Sequence, residues 1–126
     1  MSPNYEIINK TLKADDFTVH FEHNIQEVIF WEGIYIVLLS IPNEVNEVDN
    51  IYGVNSSGEV IWKIENPTKA FKLNKNEQGY DYMALSIYVH MNMSTEGVFI
   101  ANTFFGMRNI FDYKTGKLLK QECSRW

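Results

Sequence analysis

The residues of this chain that could do chemistry are few and poorly placed for one another. His20-Phe21-Glu22-His23 comes nearest to a metal-binding pair. Side chains on an extended strand alternate between faces, so His20 and His23 leave from opposite sides. A zinc site wants three or four converging ligands, and His90 is the one remaining histidine. Asp15-Asp16 reads as a turn, because adjacent carboxylates diverge and do not divide into an acid and a base. The single cysteine, Cys123, stands between Glu122 and Ser124, without the cationic neighbour that makes a thiolate reactive. Neither a phosphate loop (GxxxxGKS or GxxxxGKT) nor a nucleophile elbow (GxSxG) occurs. The expectation is a non-enzyme with no catalytic residues, no metal and no cofactor.

Charge is more informative. The net is −5, and residues 1–66 hold 11 acids against 3 bases whereas residues 67–126 hold 5 acids against 8 bases. An acidic first half argues against nucleic acid, which demands a basic footprint. It suits a basic partner drawn in by electrostatic steering. The stretch 42–50, PNEVNEVDN, alternates Glu44, Glu47 and Asp49 with Val45 and Val48. A loop that offers carboxylates beside apolar contact is a good place for binding. Trp31 adds a candidate anchor, since tryptophan is enriched at interface hot spots. Glu44, Glu47, Asp49 and Trp31 are the expected partner-binding residues.

Other classes fall away on size and hydropathy. A chain of 126 residues is one domain's worth of core. The longest apolar run, Ile34 to Leu39, is far short of the ~18–20 residues that span a bilayer. The first residues lack a charged start followed by a long apolar stretch, so no secretory signal is expected and the cytoplasm is the expected compartment.

The elements that must carry these residues read as strands. Phe17, Val19 and Phe21 alternate with polar neighbours at the period of a half-buried strand. Tyr5 to Leu12 reads as one short strand or arm, and Ala14 to Asp16 as a turn. Ile25 to Trp31 is followed by a Glu32-Gly33 turn. Ile34 to Ile41 is an almost unbroken apolar run, the pattern of a strand covered on both faces, and Pro42 ends it. Ile51–Val54 and Val60–Ile64 flank the hairpin turn Asn55-Ser56-Ser57-Gly58. Residues 65–79 read as a linker. From Tyr80 to Met93 the alternation puts Met83, Leu85, Ile87, Val89 and Met91 on one face. Tyr82, Ala84, Ser86, Tyr88 and His90 take the other. No segment has a convincing helical period.

The chain also repeats. Glu32-Gly33-Ile34-Tyr35-Ile36 returns as Glu96-Gly97-Val98-Phe99-Ile100, and the hairpin from Asn55 to Trp62 returns loosely as Asp112 to Leu119. Each copy reads as a four-stranded antiparallel meander, the first over about 25–64 and the second over about 80–121. The hairpin Asp112-Tyr113-Lys114-Thr115-Gly116-Lys117-Leu118-Leu119 resembles the Asp-x-x-Thr-Gly blade repeat of quinoprotein-type (PQQ-like) β-propellers. In the first copy Asn55 takes the Asp place and Trp62 the Trp place, while Lys120 stands where the second copy would carry its Trp. The resemblance implies blade-like sheets with Trp packed between them. Rings take about four to eight blades, so two copies do not close one and the quinone site is not implied. The expected fold is all-β: a single domain, 1–126, of two propeller-blade-like meanders packed as a sandwich or an incomplete propeller, with residues 1–22 covering an edge.

The expected function is binding without catalysis. The chain is similar in kind to small acidic bacterial immunity proteins, which implies a basic toxin as the protein partner, and neither nucleic acid nor membrane. Two alternatives stay open: a small-ligand or enzymatic pocket on the Tyr82–His90 face, and a structural fragment that assembles with other chains.

Overall fold

A computed structural model of the chain describes residues 4–42, 49–65, 88–103 and 107–123. They form eleven strands: β1 Tyr5–Ile8, β2 Thr11–Ala14, β3 Thr18–His20, β4 Ile25–Trp31, β5 Ile34–Leu39, β6 Ile51–Asn55, β7 Val60–Lys63, β8 Tyr88–Met93, β9 Phe99–Thr103, β10 Met107–Phe111 and β11 Leu118–Cys123. All pairings are antiparallel between consecutive strands. They give a three-stranded sheet β1-β2-β3 and two four-stranded sheets, β4-β5-β6-β7 and β8-β9-β10-β11. The protein is all-β, and the two repeat copies are two matching meanders stacked as a sandwich or incomplete propeller. No helix among the described residues is long and apolar enough to cross a membrane.

The middle sheet is covered on both sides, and β5 shows why. Its run Ile34-Tyr35-Ile36-Val37-Leu38-Leu39 sends alternate side chains to two separate cores. Tyr35, Val37 and Leu39 pack with Leu12, Val19 and Val54 on one side. Ile36 and Leu38 pack with Trp62, Met91, Phe99 and Phe111 on the other. All five positions from Tyr35 to Leu39 are buried. A strand wetted on one face could not carry this composition.

Two expectations need correction. Of the segment 1–22 expected along an edge, the described part, residues 4–22, forms the third sheet and covers a face. Tyr5 to Leu12 is not one strand. The chain reverses at Asn9, whose φ of 54° is a left-handed conformation that Asn tolerates better than most residues, and it returns as β2. In both changes the driving fact is burial. Leu12 of β2 and Val19 of β3 pair across the strands and need a partner face, which β5 and β6 supply. The linker from residue 66 onward lies outside the described residues.

The two four-stranded sheets meet through Trp62. Its indole sits against Gly53 of its own sheet and Gly116 of the other. A Cβ at Gly53 would come within 2.2 Å of the ring, and one at Gly116 within 2.7 Å. Gly116 also has φ +74°, which L side chains rarely adopt. The indole Nε1 donates to the Tyr113 carbonyl at 2.9 Å. Just beyond β7, the Glu65 amide donates to the Gly116 carbonyl at 2.9 Å, and Glu65 Oε1 accepts from the Leu118 amide at 2.8 Å. The β10–β11 hairpin is thus held to the end of β7 by one ring and three hydrogen bonds.

Trp62→Ala is expected to cost about 3–5 kcal/mol, since it removes the buried ring and orphans a carbonyl. Gly116→Ala is expected to destabilise through both the clash and the φ. Urea unfolding followed by far-UV circular dichroism checks both, and wild-type midpoints would contradict the assignment.

Candidate interaction surface

The acidic insertion joins β5 to β6. Ile41 is buried and marks where it leaves the core, and Glu44 and Glu47 lie outside the described residues. Its return is well defined. Asp49 is half-buried, and Asn50, next in the chain, is only 1% exposed. A buried amide must find partners, and Asn50 finds three. Its Nδ2 donates to the Leu39 carbonyl at 2.8 Å and to the Tyr88 carbonyl at 2.9 Å. Its Oδ1 accepts from the Tyr88 amide at 3.0 Å. The Leu39 amide donates to the Asn50 carbonyl at 2.9 Å. One side chain thus closes the stem of the insertion and ties it to the first strand of the second repeat.

Tyr88 is itself buried among Met91, Phe99 and Phe111. Its hydroxyl accepts from Asn109 Nδ2 at 2.9 Å. Burial raises its phenol well above the ordinary 10.0, the Asn109 hydrogen bond opposes this, and the Asp49 carboxylate adds to the rise. The chain Asp49–Asn50–Tyr88–Asn109 therefore runs from the insertion into the core.

The strict alternation expected from Tyr82 to His90 fails here. A register shift between Tyr88 and His90 turns Tyr88 and Met91 to the same, buried face and leaves His90 exposed. A β-bulge inserts one residue and so reverses the face of everything beyond it. Tyr82 and Ser86 lie outside the described residues. Outside the core, β8 runs beside the start of β4. Gln26 Nε2 donates to the Val89 carbonyl at 2.8 Å, and His90 Nδ1 stands 4.0 Å from Glu27 Oε1. Glu27, His90 and Asp49 therefore belong to the same end of the two sheets.

Trp31 does not join them. It is at the other end of β4, paired with Ile34, whereas Ile25 pairs with Leu39 beside the insertion. Six residues of strand separate these ends by about 20 Å. The half-buried indole of Trp31 packs near Gly97 and stands close to the Tyr113 hydroxyl, which donates to Glu32 Oε2. The Glu32 bond is the main cause that raises the Tyr113 phenol above its usual range. Trp31 is a joint between sheets. Of the histidines, His20 is tied by Nδ1 to Thr11 Oγ1 at 2.9 Å. Among the described residues no three His, Cys, Asp or Glu side chains gather as metal ligands would.

Asn50, Gln26 and Glu27 were not singled out by type or spacing. The only available signal for Asn50 was its place immediately before an apolar strand.

These features define a class: stacked antiparallel sheets that present one polar, acid-bearing rim built on a rigid buried network. The chain belongs to the family described as a domain of unknown function, DUF7957, whose model matches residues 2–123. No curated protein matches it significantly. Among solved structures it is similar to the computationally designed Ika8 protein, with 12% identity and a TM-score of 0.64 over 99% of this chain. The chain spans only 35% of that protein, and at this identity the likeness concerns the fold alone.

Asn50→Ala is expected to cost about 2–4 kcal/mol, because it leaves buried groups of Leu39 and Tyr88 unpartnered. Faster hydrogen exchange at the Tyr88 amide is the specific readout. The raised phenol of Tyr88 has a signed consequence. The unfolded chain releases this proton near pH 10 while the folded chain keeps it, so its contribution is intact below pH ~10 and is lost as pH rises further. Urea midpoints from pH 8 to 11 are expected to fall, and Tyr88→Phe to flatten part of the fall.

Proposed function

We propose that the chain is a non-catalytic protein-binding module of the cytoplasm, acting as a bacterial immunity protein that occludes a basic toxin. The observation that carries this reading is Asn50. Its three bonds fix the base of the acidic insertion to both meanders, so carboxylates beyond it leave from a rigid platform. A rigid acidic platform loses little entropy on docking and steers a basic partner towards it. Glu44, Glu47 and Asp49 would carry the charge, and Glu27 lies at the same end of the sheets as Asp49. Trp31, embedded between sheets, would serve as support.

The alternative pocket on the Tyr82–His90 face has less behind it, because Tyr88 faces the core and His90 faces outward. The other alternative, assembly with further chains, has one specific observation in its favour: the similar designed protein is nearly three times as long. A monomeric mass by analytical ultracentrifugation would count against that reading.

The test combines capture and protection. Tagged chain is expected to retain a basic protein from its host at low salt and to release it at high salt. That protein, expressed alone, is expected to arrest growth, and co-expression of this chain to relieve the arrest. Changing Glu44, Glu47 and Asp49 together to Lys is expected to abolish relief while leaving the unfolding midpoint within about 1 kcal/mol of wild type. Unchanged relief and unchanged salt dependence would overturn the acidic-platform reading.

A further inference from the structure

The three sheets stack through contacts that repeat from one junction to the next. An aromatic side chain at the last strand of one sheet sits on the turn glycine of the next. Trp62 does this to Gly116. Phe17, just before β3, does it to Gly58 in the β6–β7 turn, where an added Cβ would come within 2.6 Å of the Phe17 side chain. A second contact repeats as well. Asn50, between β5 and β6, bonds the backbone of Tyr88, the first residue of β8. The carbonyl of Asn9, between β1 and β2, accepts from the amide of Ile25, the first residue of β4, at 2.8 Å. These contacts match β3 with β7 and β1 with β5. In their sheets β5 lies between β4 and β6, and β9 between β8 and β10, whereas β1 pairs with β2 alone. Among the described residues no strand fills beside β1 the place that β4 and β8 take in their sheets.

The edge has a defined chemistry. Across the two-residue turn Asn9-Lys10, Ile8 pairs with Thr11 and Glu6 with Lys13. Those pairs exchange the ladder's bonds, so the backbone groups of Tyr5 and Ile7 point away from β2. Ile7 stands opposite Leu12 and so takes the face that packs on the middle sheet. Leu12 is fully buried there, yet Ile7 is 41% exposed. In the middle sheet the same face is closed at the first strand by Val28 and Phe30, opposite Val37 and Tyr35. In the last sheet Met91 and Met93 do this opposite Ala101 and Phe99. An unpaired strand that leaves such a residue exposed is a template for another chain. Glu6 is the single charge on β1, and it is exposed. Lys13 faces it from β2, and its other side is the open edge. Opposite charges directly across an antiparallel pair stabilise it and like charges weaken it. Two copies of β1 paired about Glu6 would set carboxylate against carboxylate.

We propose that β1 accepts, in antiparallel pairing, an extended segment of a partner protein in which a Lys or Arg lies between two apolar residues. The base stands opposite Glu6. The apolar residues stand opposite Tyr5 and Ile7 and close the face as Val28 and Phe30 do in the middle sheet. In this mode of strand addition the main-chain bonds supply the hold and the alternate side chains supply the choice. The edge uses none of the residues of the acidic insertion, so the proposal stands whether or not the chain is an immunity protein.

The experiment is a titration of the ¹⁵N-labelled full chain followed by amide chemical shifts and hydrogen exchange. The probes are acetyl-Thr-Val-Lys-Val-Thr-amide, its counterpart acetyl-Thr-Val-Glu-Val-Thr-amide, and the Lys peptide with both Val nitrogens methylated. Saturable shifts centred on Tyr5 and Ile7 are expected with the Lys peptide, with a dissociation constant of about a millimolar and slower exchange at those two amides. The Glu peptide is expected to bind about five-fold more weakly. The methylated peptide cannot donate to the edge and is expected not to bind. Glu6→Lys, at an exposed position, is expected to reverse the order of the Lys and Glu peptides, whereas damage to β1 would weaken both. No saturable shift by about 20 mM Lys peptide, on a scale where millimolar binding is sought, overturns the proposal. So does equal binding of the methylated peptide, or a preference that Glu6→Lys leaves unchanged. Exchange at Tyr5 and Ile7 that slows with rising concentration of the chain alone also overturns it, since a second copy would then be the occupant.

Discussion

The two meanders are one structure because the Trp62 indole is shared between them. It lies across Gly53 in its own sheet and Gly116 in the next, and it donates to the Tyr113 carbonyl. A large flat ring needs flat surroundings, and only residues without Cβ provide them on both sides. The rest of the contact follows. Once the β10–β11 hairpin is drawn onto the ring, its backbone reaches the Glu65 amide and carboxylate. Phe99 and Phe111 then complete the core between the sheets. Trp31 at the end of β4 and Tyr113 in the turn after β10 form a second, more exposed joint.

The middle sheet bears the consequences. Its β5 strand supplies two cores at once, so neither outer sheet can be lost without wetting apolar residues on it. Each exposed methylene would cost about 0.8 kcal/mol. Sheets that share a central strand in this way should unfold together rather than separately. That rigidity would suit the binding role proposed above, because loops held on a stiff frame lose less freedom when they bind.

The frame exposes acidic features at the two ends of the same strand. At one end, Asn50 fixes the return of the insertion and Asp49 sits just outside it. At the other lies the exposed turn Asp15-Asp16. A single strand places them apart, which lets each be altered without disturbing the other.

Much of the fold is local and was legible in the order of residues alone. The apolar run Ile34 to Leu39 dictates a strand buried on both faces. The Asn55 to Gly58 and Asp112 to Gly116 turns dictate hairpins, and the recurring Glu-Gly turns dictate two copies of one meander. Each depends only on residues near one another in the chain. Tertiary structure decided what depended on distant partners. The role of residues 4–22 as a third sheet required the outer face of β5. The inward turn of Tyr88 required a bulge that alternation does not announce. Asn50 looked like any loop residue until Leu39 and Tyr88 were brought around it. Separation in sequence hides such contacts, because a buried polar group reveals itself only through the partners that fold against it.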